Sequence, residues 1–297
     1  MRKHLSVFWL FFASWQEAKA FEISFDRYHS QNFINRYLLE LEILYPDLVI
    51  HRNLGESQMG REISMIIMGK NIDLSEKRPA IYLNGTHHGN EKSSTEAVLA
   101  VIDHLIRNRN QQPVNRILKK FHIFLQPLVN PDGHARNSRF SSTGFDPNRD
   151  YATPRKPESE SFTLKETRLV KSLLETRRFI GSIAYHSGVE AIFWPWCFSR
   201  ERNKGTKLFR SIAAIMADSM GFSYFQQSYN DYKTDGEFID YAFMKYGTYA
   251  MTLEVSREHT PSPRRLRYVM QRTVKGTLSF IESIEKILKP TKIAAGQ

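Results

Sequence analysis

A short apolar run leads directly into a turn rich in ionisable side chains. The run covers residues 79–84, and positions 86–91 read THHGNE. A buried strand that ends in such a turn is typical of α/β folds, in which functional groups lie at the carboxyl ends of strands. The turn places a histidine and a glutamate three residues apart, and the two can bind one zinc ion. Because this spacing often arises by chance, its weight depends on the rest of the chain.

The composition indicates a folded protein with a sizeable core. The chain has 297 residues, of which 41% are hydrophobic and 25% are charged, and this length suits one large domain or two small ones. Cys197 is the single cysteine, so stability must come from the core and not from a disulfide within the chain. The formal net charge of +11 favours anionic neighbours or serves solubility alone. No aromatic-basic signature is visible, so we expect no nucleic-acid partner.

The first twenty residues have the three parts of a secretory signal peptide. A basic start at residues 2–4 precedes an apolar run at residues 5–15, and Ala18-Lys19-Ala20 resembles a cleavage site. The apolar run is too short to span a bilayer. We therefore expect residues 21–297 to form a periplasmic or secreted domain without a stable membrane anchor. An N-terminal core helix or a membrane anchor is the alternative.

Predicted strands alternate with predicted helices along the remaining chain. The helices cover residues 30–45, 93–105, 164–174 and 266–288, and the strands cover residues 48–50, 63–68, 79–84, 121–128, 179–185 and 248–255. Residues 140–160 lack periodicity and predict a long loop, a kind of segment that is often functional. The alternation predicts a single α/β domain with a mixed, mostly parallel twisted sheet and helices on both faces.

Three predicted strand ends carry ionisable groups. They hold His88 with Glu91, then His186, and finally Glu254. Two histidines and one glutamate can form a zinc site that leaves a fourth position open for water. Zinc polarises a carbonyl and lowers the pKa of its water, and a separate carboxylate must accept the proton and pass it to the leaving amine. Glu254 fits that role, because an acid in an apolar strand is costly unless it is used.

These residues make the chain resemble the zinc metallocarboxypeptidases of the carboxypeptidase A/B (M14) superfamily. The resemblance runs in order from residue 45 to residue 254 and includes HGNE at 88–91 and the NPDG turn at 130–133. It implies a sheet of about eight strands, one zinc ion per chain and Glu254 as general base. The implied zinc ligands are His88, Glu91 and His186.

The resemblance also implies a clamp for the terminal carboxylate of a peptide. The segment DPNR at 146–149 is similar to a family segment whose last two residues, here Asn148 and Arg149, bind that carboxylate. A guanidinium favours such a bidentate contact. The arginine that stabilises the oxyanion corresponds to Arg139, with Arg136 as the alternative. Asp146 is itself typical of turns.

The pocket for the C-terminal side chain follows from counting back from Glu254 without a gap. Tyr232 then corresponds to the flexible tyrosine that covers bound substrate, and Ile239 to the base of the pocket. An apolar base favours apolar C-terminal residues. Asp240 is one position away and would reverse that preference, so the side-chain preference stays open.

The expected activity is hydrolysis of the C-terminal peptide bond of peptides by a monomeric, exported enzyme of bacterial type. We expect the bacterial type because no pro-segment is seen between the predicted leader and the catalytic part, and no appended β-sandwich is seen after Glu254. One alternative is a peptidoglycan stem-peptide carboxypeptidase that cuts next to meso-diaminopimelate, which a basic surface suits. A catalytically silent member that binds peptides or cell wall also stays open, since Asn90 and Asp150 depart from the family pattern.

Overall fold

The computed structural model describes residues 23–288, so the predicted signal peptide at 1–20 lies outside the described residues. The helices are α1 (Gln31–Leu44), α2 (Lys92–Arg107), α3 (Val114–Lys120), α4 (Pro131–Arg136), α5 (Lys165–Thr176), α6 (Thr206–Met220), α7 (Phe238–Tyr246) and α8 (Pro263–Leu288). The strands are β1 (Val49–Glu56), β2 (Glu62–Met68), β3 (Ala80–Gly85), β4 (His122–Gln126), β5 (Phe179–His186), β6 (Glu190–Trp194), β7 (Phe225–Gln227) and β8 (Tyr249–Val255). Within residues 23–288 no helix has the length and apolarity needed to cross a membrane.

All eight strands form one mixed sheet in the order β1-β2-β4-β3-β5-β8-β6-β7. The central strands β4, β3, β5 and β8 run parallel to one another, as do β6 and β7. The remaining neighbours pair antiparallel. The prediction of a single α/β domain with a mixed sheet of about eight strands is confirmed.

Helices cover both faces of the sheet, and this explains why its central strands are apolar throughout. Ile81 and Leu83 of β3 belong to the core packed with α1, α2, α6 and α8, whereas Tyr82 belongs to the core packed with α5 and α7. All three side chains have no exposed surface. A strand buried on both faces needs such a run, and each aliphatic side chain contributes about 1.5–3 kcal/mol by its burial.

The sheet places the candidate functional residues at one edge. The carboxyl ends of β3, β5 and β8 lie side by side, with Gly85 opposite Tyr185 and His186 opposite Glu254. Because parallel strands share this edge, residues far apart in the chain become neighbours there. Ligands bind at such an edge in open α/β sheets.

Candidate active site

The turn after β3 has a strained start that a network of hydrogen bonds maintains. Thr86 has a positive φ of 62°, which is rare for a β-branched residue and costs on the order of 1–3 kcal/mol. Its amide donates to Ser94 Oγ at 3.1 Å, and its hydroxyl lies 2.6 Å from Thr95 Oγ1 and 3.1 Å from the Pro127 carbonyl. The network fixes the direction in which the chain leaves the strand, and hence the position of His88.

Two motif glycines pack against each other and hold the turn close to the next loop. A Cβ on Gly89 would lie 1.9 Å from the Gly133 carbonyl carbon, so no larger side chain fits there. Asn130 joins the two segments, because its side chain donates to the His87 carbonyl at 3.1 Å and accepts from the Gly133 amide at 2.8 Å. The HGNE and NPDG segments therefore form one structural unit.

His88, Glu91 and His186 converge into a buried cluster at the edge of the sheet. One ligand atom from each lies within 4.8 Å of the others. Glu91 Oε1 is 2.6 Å from His88 Nδ1, and Oε2 is 3.0 Å from both His186 Nδ1 and the Ser187 amide. Burial raises the Glu91 pKa, but the two imidazoles outweigh it and hold the pKa well below its usual range. Two imidazoles and one carboxylate fit a zinc ion.

Asp146 contacts this cluster through His88, a contact that the sequence pattern does not reveal. Its carboxylate is 3.0 Å from His88 Nε2, accepts from Arg139 Nε at 3.0 Å, and accepts from the Asn148 amide at 2.8 Å. Burial raises the pKa of Asp146, but the contacts with His88 and Arg139 outweigh burial and bring the pKa below its usual range. A carboxylate on the second nitrogen of a ligating histidine fixes its tautomer and ring orientation.

The structure distinguishes between candidates that are close together in the sequence. His87 is fully buried, and its Nε2 lies 2.9 Å from the Tyr151 hydroxyl, outside the cluster. Arg139 Nη1 lies 3.2 Å from His88 Nδ1, whereas Arg136 donates to a main-chain carbonyl of its own loop at 2.7 Å. Arg139 is thus the arginine that lies beside the cluster.

A cavity of about 240 Å³ opens onto the cluster. The structure brings eight of the predicted site residues to its walls, namely His88, Glu91, Arg139, Asn148, Arg149, His186, Tyr232 and Glu254. Ile239 is not among them: it is 1% exposed and packs in the core between the sheet and α7. Its place at the base of the pocket stays a prediction. Further residues on the walls that the sequence did not single out are Ser187, Phe193, Ser228, Asp231, Glu237 and His259.

Glu254 contributes a buried carboxyl group to the cavity wall. Its Oε2 is buried and has no hydrogen-bond partner among residues 23–288. Burial raises the pKa of its carboxyl well above the usual range, and the nearby Glu91 and Glu237 carboxylates raise it further. A carboxyl in this environment can accept a proton and return it, as a general acid–base catalyst must.

Arg149 and Asn148 form the opposite wall of the cavity. Arg149 Nη1 is 3.3 Å from Glu237 Oε1, and its Nη2 donates to the Tyr232 hydroxyl at 3.4 Å. Burial lowers the pKa of Arg149, but Glu237 and other neighbours raise it above its ordinary value. Asn148 Oδ1 accepts from the Phe238 amide at 3.0 Å. Tyr232 is 58% exposed, at the mouth.

A glycine fixes the separation of the two loops that build this wall. Gly236 has a φ of +81°, and a Cβ there would lie 2.4 Å from the Arg149 carbonyl oxygen. Its own carbonyl accepts from the Tyr151 amide at 3.1 Å. The segment that carries Glu237 is thereby held directly against the segment that carries Arg149.

Comparison with known proteins gives one family and one fold. A model of the zinc carboxypeptidase family matches residues 34–276. Carboxypeptidase SOL1 of Arabidopsis thaliana is 24% identical over 251 residues, which are 79% of this chain and 51% of that protein. Carboxypeptidase B of Helicoverpa zea is 29% identical over 207 residues, 59% of this chain and 48% of that protein. The chain thus spans about half the length of these two relatives.

A solved structure supports the fold. The crystal structure of carboxypeptidase A from Helicoverpa armigera superimposes with a TM-score of 0.81. It covers 90% of this chain and 76% of that chain, at 18% sequence identity. At this identity the likeness concerns the arrangement of helices and strands.

Proposed function

The chain belongs to the zinc carboxypeptidase family, and we propose that it hydrolyses the C-terminal peptide bond of peptides. The observation that carries this proposal is the composition of one cavity. One cavity of about 240 Å³ is lined by a metal-binding triad, a proton-exchanging carboxyl on Glu254 and two arginines. The triad would hold a zinc ion beside the carbonyl of the peptide bond, and the opposite wall holds the free carboxylate that marks a chain end.

Each residue has a defined part in this mechanism. Arg149 and Asn148 hold the terminal carboxylate, and Tyr232 covers it from the mouth of the cavity. His88, Glu91 and His186 would hold a zinc ion, which would act as a Lewis acid and lower the pKa of a water molecule.

The two remaining residues, Glu254 and Arg139, transfer the proton and stabilise the developing charge. Glu254 accepts the proton of the attacking water and passes it to the leaving amine. Arg139 donates to the oxygen on which negative charge develops, and this contact strengthens in the transition state.

The test measures product formation and metal content together. A mixed peptide library is incubated with wild type and with Glu254→Gln, and the products are identified by mass spectrometry. We expect loss of single C-terminal residues, about one zinc per chain in both proteins, and a rate about 10²–10⁴-fold lower in the variant. Equal rates would show that Glu254 is not the base. Zinc binding without any cleavage by wild type would favour the silent, peptide-binding alternative.

A peptidoglycan stem-peptide substrate is the second candidate, and the rim of the site favours it. A neighbouring cavity shares Gly188 and Val189 with the site. Arg257 borders it with a side chain 75% exposed and lies 3.7 Å from the Glu190 carboxylate, and Arg265 lies 3.5 Å from the same carboxylate. Exposed guanidinium groups suit an anionic wall polymer. Muropeptides are tested beside the peptide library, and absence of any diaminopimelyl product rejects this candidate.

Export of an enzyme of bacterial type with a cleaved leader is part of the proposal. The basic, apolar and small-residue parts of positions 1–20 support it. N-terminal sequencing of the secreted or periplasmic protein is expected to begin at Phe21. A monomer is expected by light scattering.

A further inference from the structure

A second cavity adjoins the active-site cavity. It has a volume of about 390 Å³, and Gly188 and Val189 line both cavities. These two residues belong to the short connection between β5, which ends at His186, and β6, which begins at Glu190. A Cβ on Gly188 would lie 3.3 Å from Cε1 of His259, so a glycine leaves the most room at this junction. The two cavities can therefore hold adjoining parts of one molecule.

The second cavity lies on the side of the peptide segment that remains after cleavage. In the proposed function Asn148 and Arg149 hold the terminal carboxylate, and neither residue lines the second cavity. Glu190, on the wall of the second cavity, pairs with Val255 in the sheet, next to the proposed base Glu254. Because an extended chain advances about 3.3 Å per residue, the second cavity is in reach of residues about two to four positions from the C-terminus.

Three guanidinium groups surround the carboxylate of Glu190. Arg272 Nη1 donates to Oε1 at 3.2 Å, Arg265 Nη2 lies 3.5 Å from Oε1, and Arg257 Nε lies 3.7 Å from Oε2. Like charges this close together repel one another, and a single carboxylate balances one of the three. This arginine cluster of residues 257, 265 and 272 therefore has a surplus of positive charge beside the second cavity.

Arg272 is the fixed member of the arginine cluster. Its Nε donates to the Met220 carbonyl at 2.5 Å, and its guanidinium carbon lies 4.5 Å from the centre of the Phe222 ring. The side chain is 13% exposed. Because Arg272 also has the direct hydrogen bond to Glu190, it is the main partner of that carboxylate.

Arg257 and Arg265 keep donors for a further anion. Their side chains are 75% and 43% exposed. Their contacts with Glu190, and that of Arg265 with Glu258, are ion pairs of 3.5–3.8 Å, which is longer than a good N–H···O hydrogen bond. A guanidinium has five N–H donors and favours a carboxylate that accepts two of them.

The acids of the described residues near the second cavity compete weakly for these donors. Glu190 is the one acid among the described residues that line it. Glu258 has a side chain 58% exposed, and ion pairs of such exposed groups are weak. Asp231, on the wall of the first cavity, already accepts from the Tyr224 hydroxyl at 2.7 Å. A carboxylate brought by a substrate therefore finds unsaturated partners here.

We propose that Arg257 and Arg265 bind a carboxylate on the part of the peptide that remains after cleavage, so that the enzyme prefers substrates with an acidic residue about two to four positions from the C-terminus. The substrate carboxylate replaces water on the two guanidinium groups, while Arg272 keeps Glu190 in place. The inference rests on the proposed function, since it names a substrate class for the same site. It leaves the choice of the leaving residue open.

The test uses matched peptides in which one residue is either glutamate or glutamine. This residue is placed in turn at the second, third and fourth position from the C-terminus, and the C-terminal residue is the one that wild type removes fastest from the peptide library. At the best position, kcat/KM for the glutamate peptide is expected to exceed that for the glutamine peptide about three- to tenfold, as for two partly exposed ion pairs. Higher salt is expected to reduce this ratio. Equal or lower values for glutamate at all three positions overturn the inference.

The variant Arg257→Gln/Arg265→Gln removes both proposed ligands of the substrate carboxylate. The ratio of the two peptides is expected to approach one in this variant, through slower cleavage of the glutamate peptide, while zinc content and Tm report that the fold is kept. A ratio that stays at the wild-type value contradicts the inference.

Lys207→Gln/Arg210→Gln is the matched control, because it removes the same charge from two exposed residues of α6 that line neither cavity. We expect it to keep the preference for glutamate. Loss of the preference in this control would assign it to the overall positive charge of the protein and not to the arginine cluster.

Binding separates this inference from the proposed chemistry. In zinc-loaded Glu254→Gln, calorimetry is expected to give a Kd for the glutamate peptide about three- to tenfold below that for the glutamine peptide. Adding Arg257→Gln and Arg265→Gln is expected to remove the difference. Equal affinities in zinc-loaded Glu254→Gln overturn the inference even if wild type cleaves both peptides. Selective binding without cleavage by wild type overturns the proposed function and leaves the inference standing.

Discussion

The two walls of the cavity are built in different ways. The metal-binding wall consists of strand ends and one hydrogen-bonded turn, and its three candidate ligands are 2–4% exposed. The substrate wall consists of Asn148 and Arg149 and of residues 228–237, which lie directly before α7, and it is held by contacts between distant residues such as Asn148 with Phe238. Strand ends therefore position the groups proposed for catalysis, whereas contacts between loop segments position the groups proposed to bind the substrate. Substitutions on the two walls should change different quantities.

The largest effect is expected on the metal-binding wall. His186→Ala removes one of three ligands and leaves the Glu91 carboxylate without one imidazole contact. We expect zinc content to fall from about one per chain to near zero, and peptidase activity to fall on the order of a thousandfold or more. Metal analysis after gel filtration measures the zinc content, and product release measures the peptidase activity. Full zinc content in this variant would exclude His186 as a ligand.

A smaller effect, on substrate binding and not on zinc content, is expected on the substrate wall. Arg149→Gln removes the bidentate clamp while the metal-binding cluster is untouched. We expect kcat/KM for peptides to fall about 100-fold, mainly through KM, as for loss of charge-assisted hydrogen bonds. Zinc content should stay at the wild-type level. If zinc is lost together with activity, the two walls are not independent and the comparison fails.

The sequence predicts the first wall better than the second for a physical reason. His88, Glu91, His186 and Glu254 each follow or sit in an apolar run, and parallel pairing brings such strand ends together. Glu237 follows a glycine in a segment without periodicity, and this Gly236 packs on the Arg149 carbonyl. An ungapped count from Glu254 does not reveal that Glu237 lies on the cavity wall.

The helices and strands also differ in how well the sequence predicts them. The helix predicted at residues 30–45 is observed at Gln31–Leu44, because its apolar spacing is regular. Strands β6 and β7 have five and three residues, too few to show a period. Helix α6 does bury Phe209, Ile212, Ala213 and Met216 at helical spacing, so it could have been predicted from the same pattern that gave the other long helices.

Asp146 links the two walls, and its substitution should have an intermediate effect. Asp146→Asn keeps the shape of the side chain but weakens its contacts with His88 and Arg139. We expect zinc affinity to fall about 10–100-fold, as for other partners of ligating histidines. Competition with a chelator measures the affinity. Asp132→Asn serves as the comparison, because the Asp132 carboxylate accepts from Ser57 and Arg61. The zinc affinity of this variant is expected to change less.

The smallest effect is expected beneath the substrate wall, in the dependence of stability on pH. Burial raises the pKa of Asp240 in the folded protein to about 8, from an ordinary value of about 4. Between these pH values the folded chain keeps a proton that the unfolded chain releases, so this residue's contribution to stability falls as pH rises from about 4 to about 8. The amide that replaces this carboxyl in Asp240→Asn does not titrate, so the Tm of wild type minus that of the variant should decrease across this window and level off above it.

Differential scanning fluorimetry from about pH 4 to about pH 9 measures this difference across the window, and the comparison removes the pH dependence that the two proteins share. The exposed Asp218→Asn controls for loss of a surface carboxylate. A difference that increases with pH would mean that Asp240 is ionised beneath the cavity, and Glu237 would then have a second anion beside it.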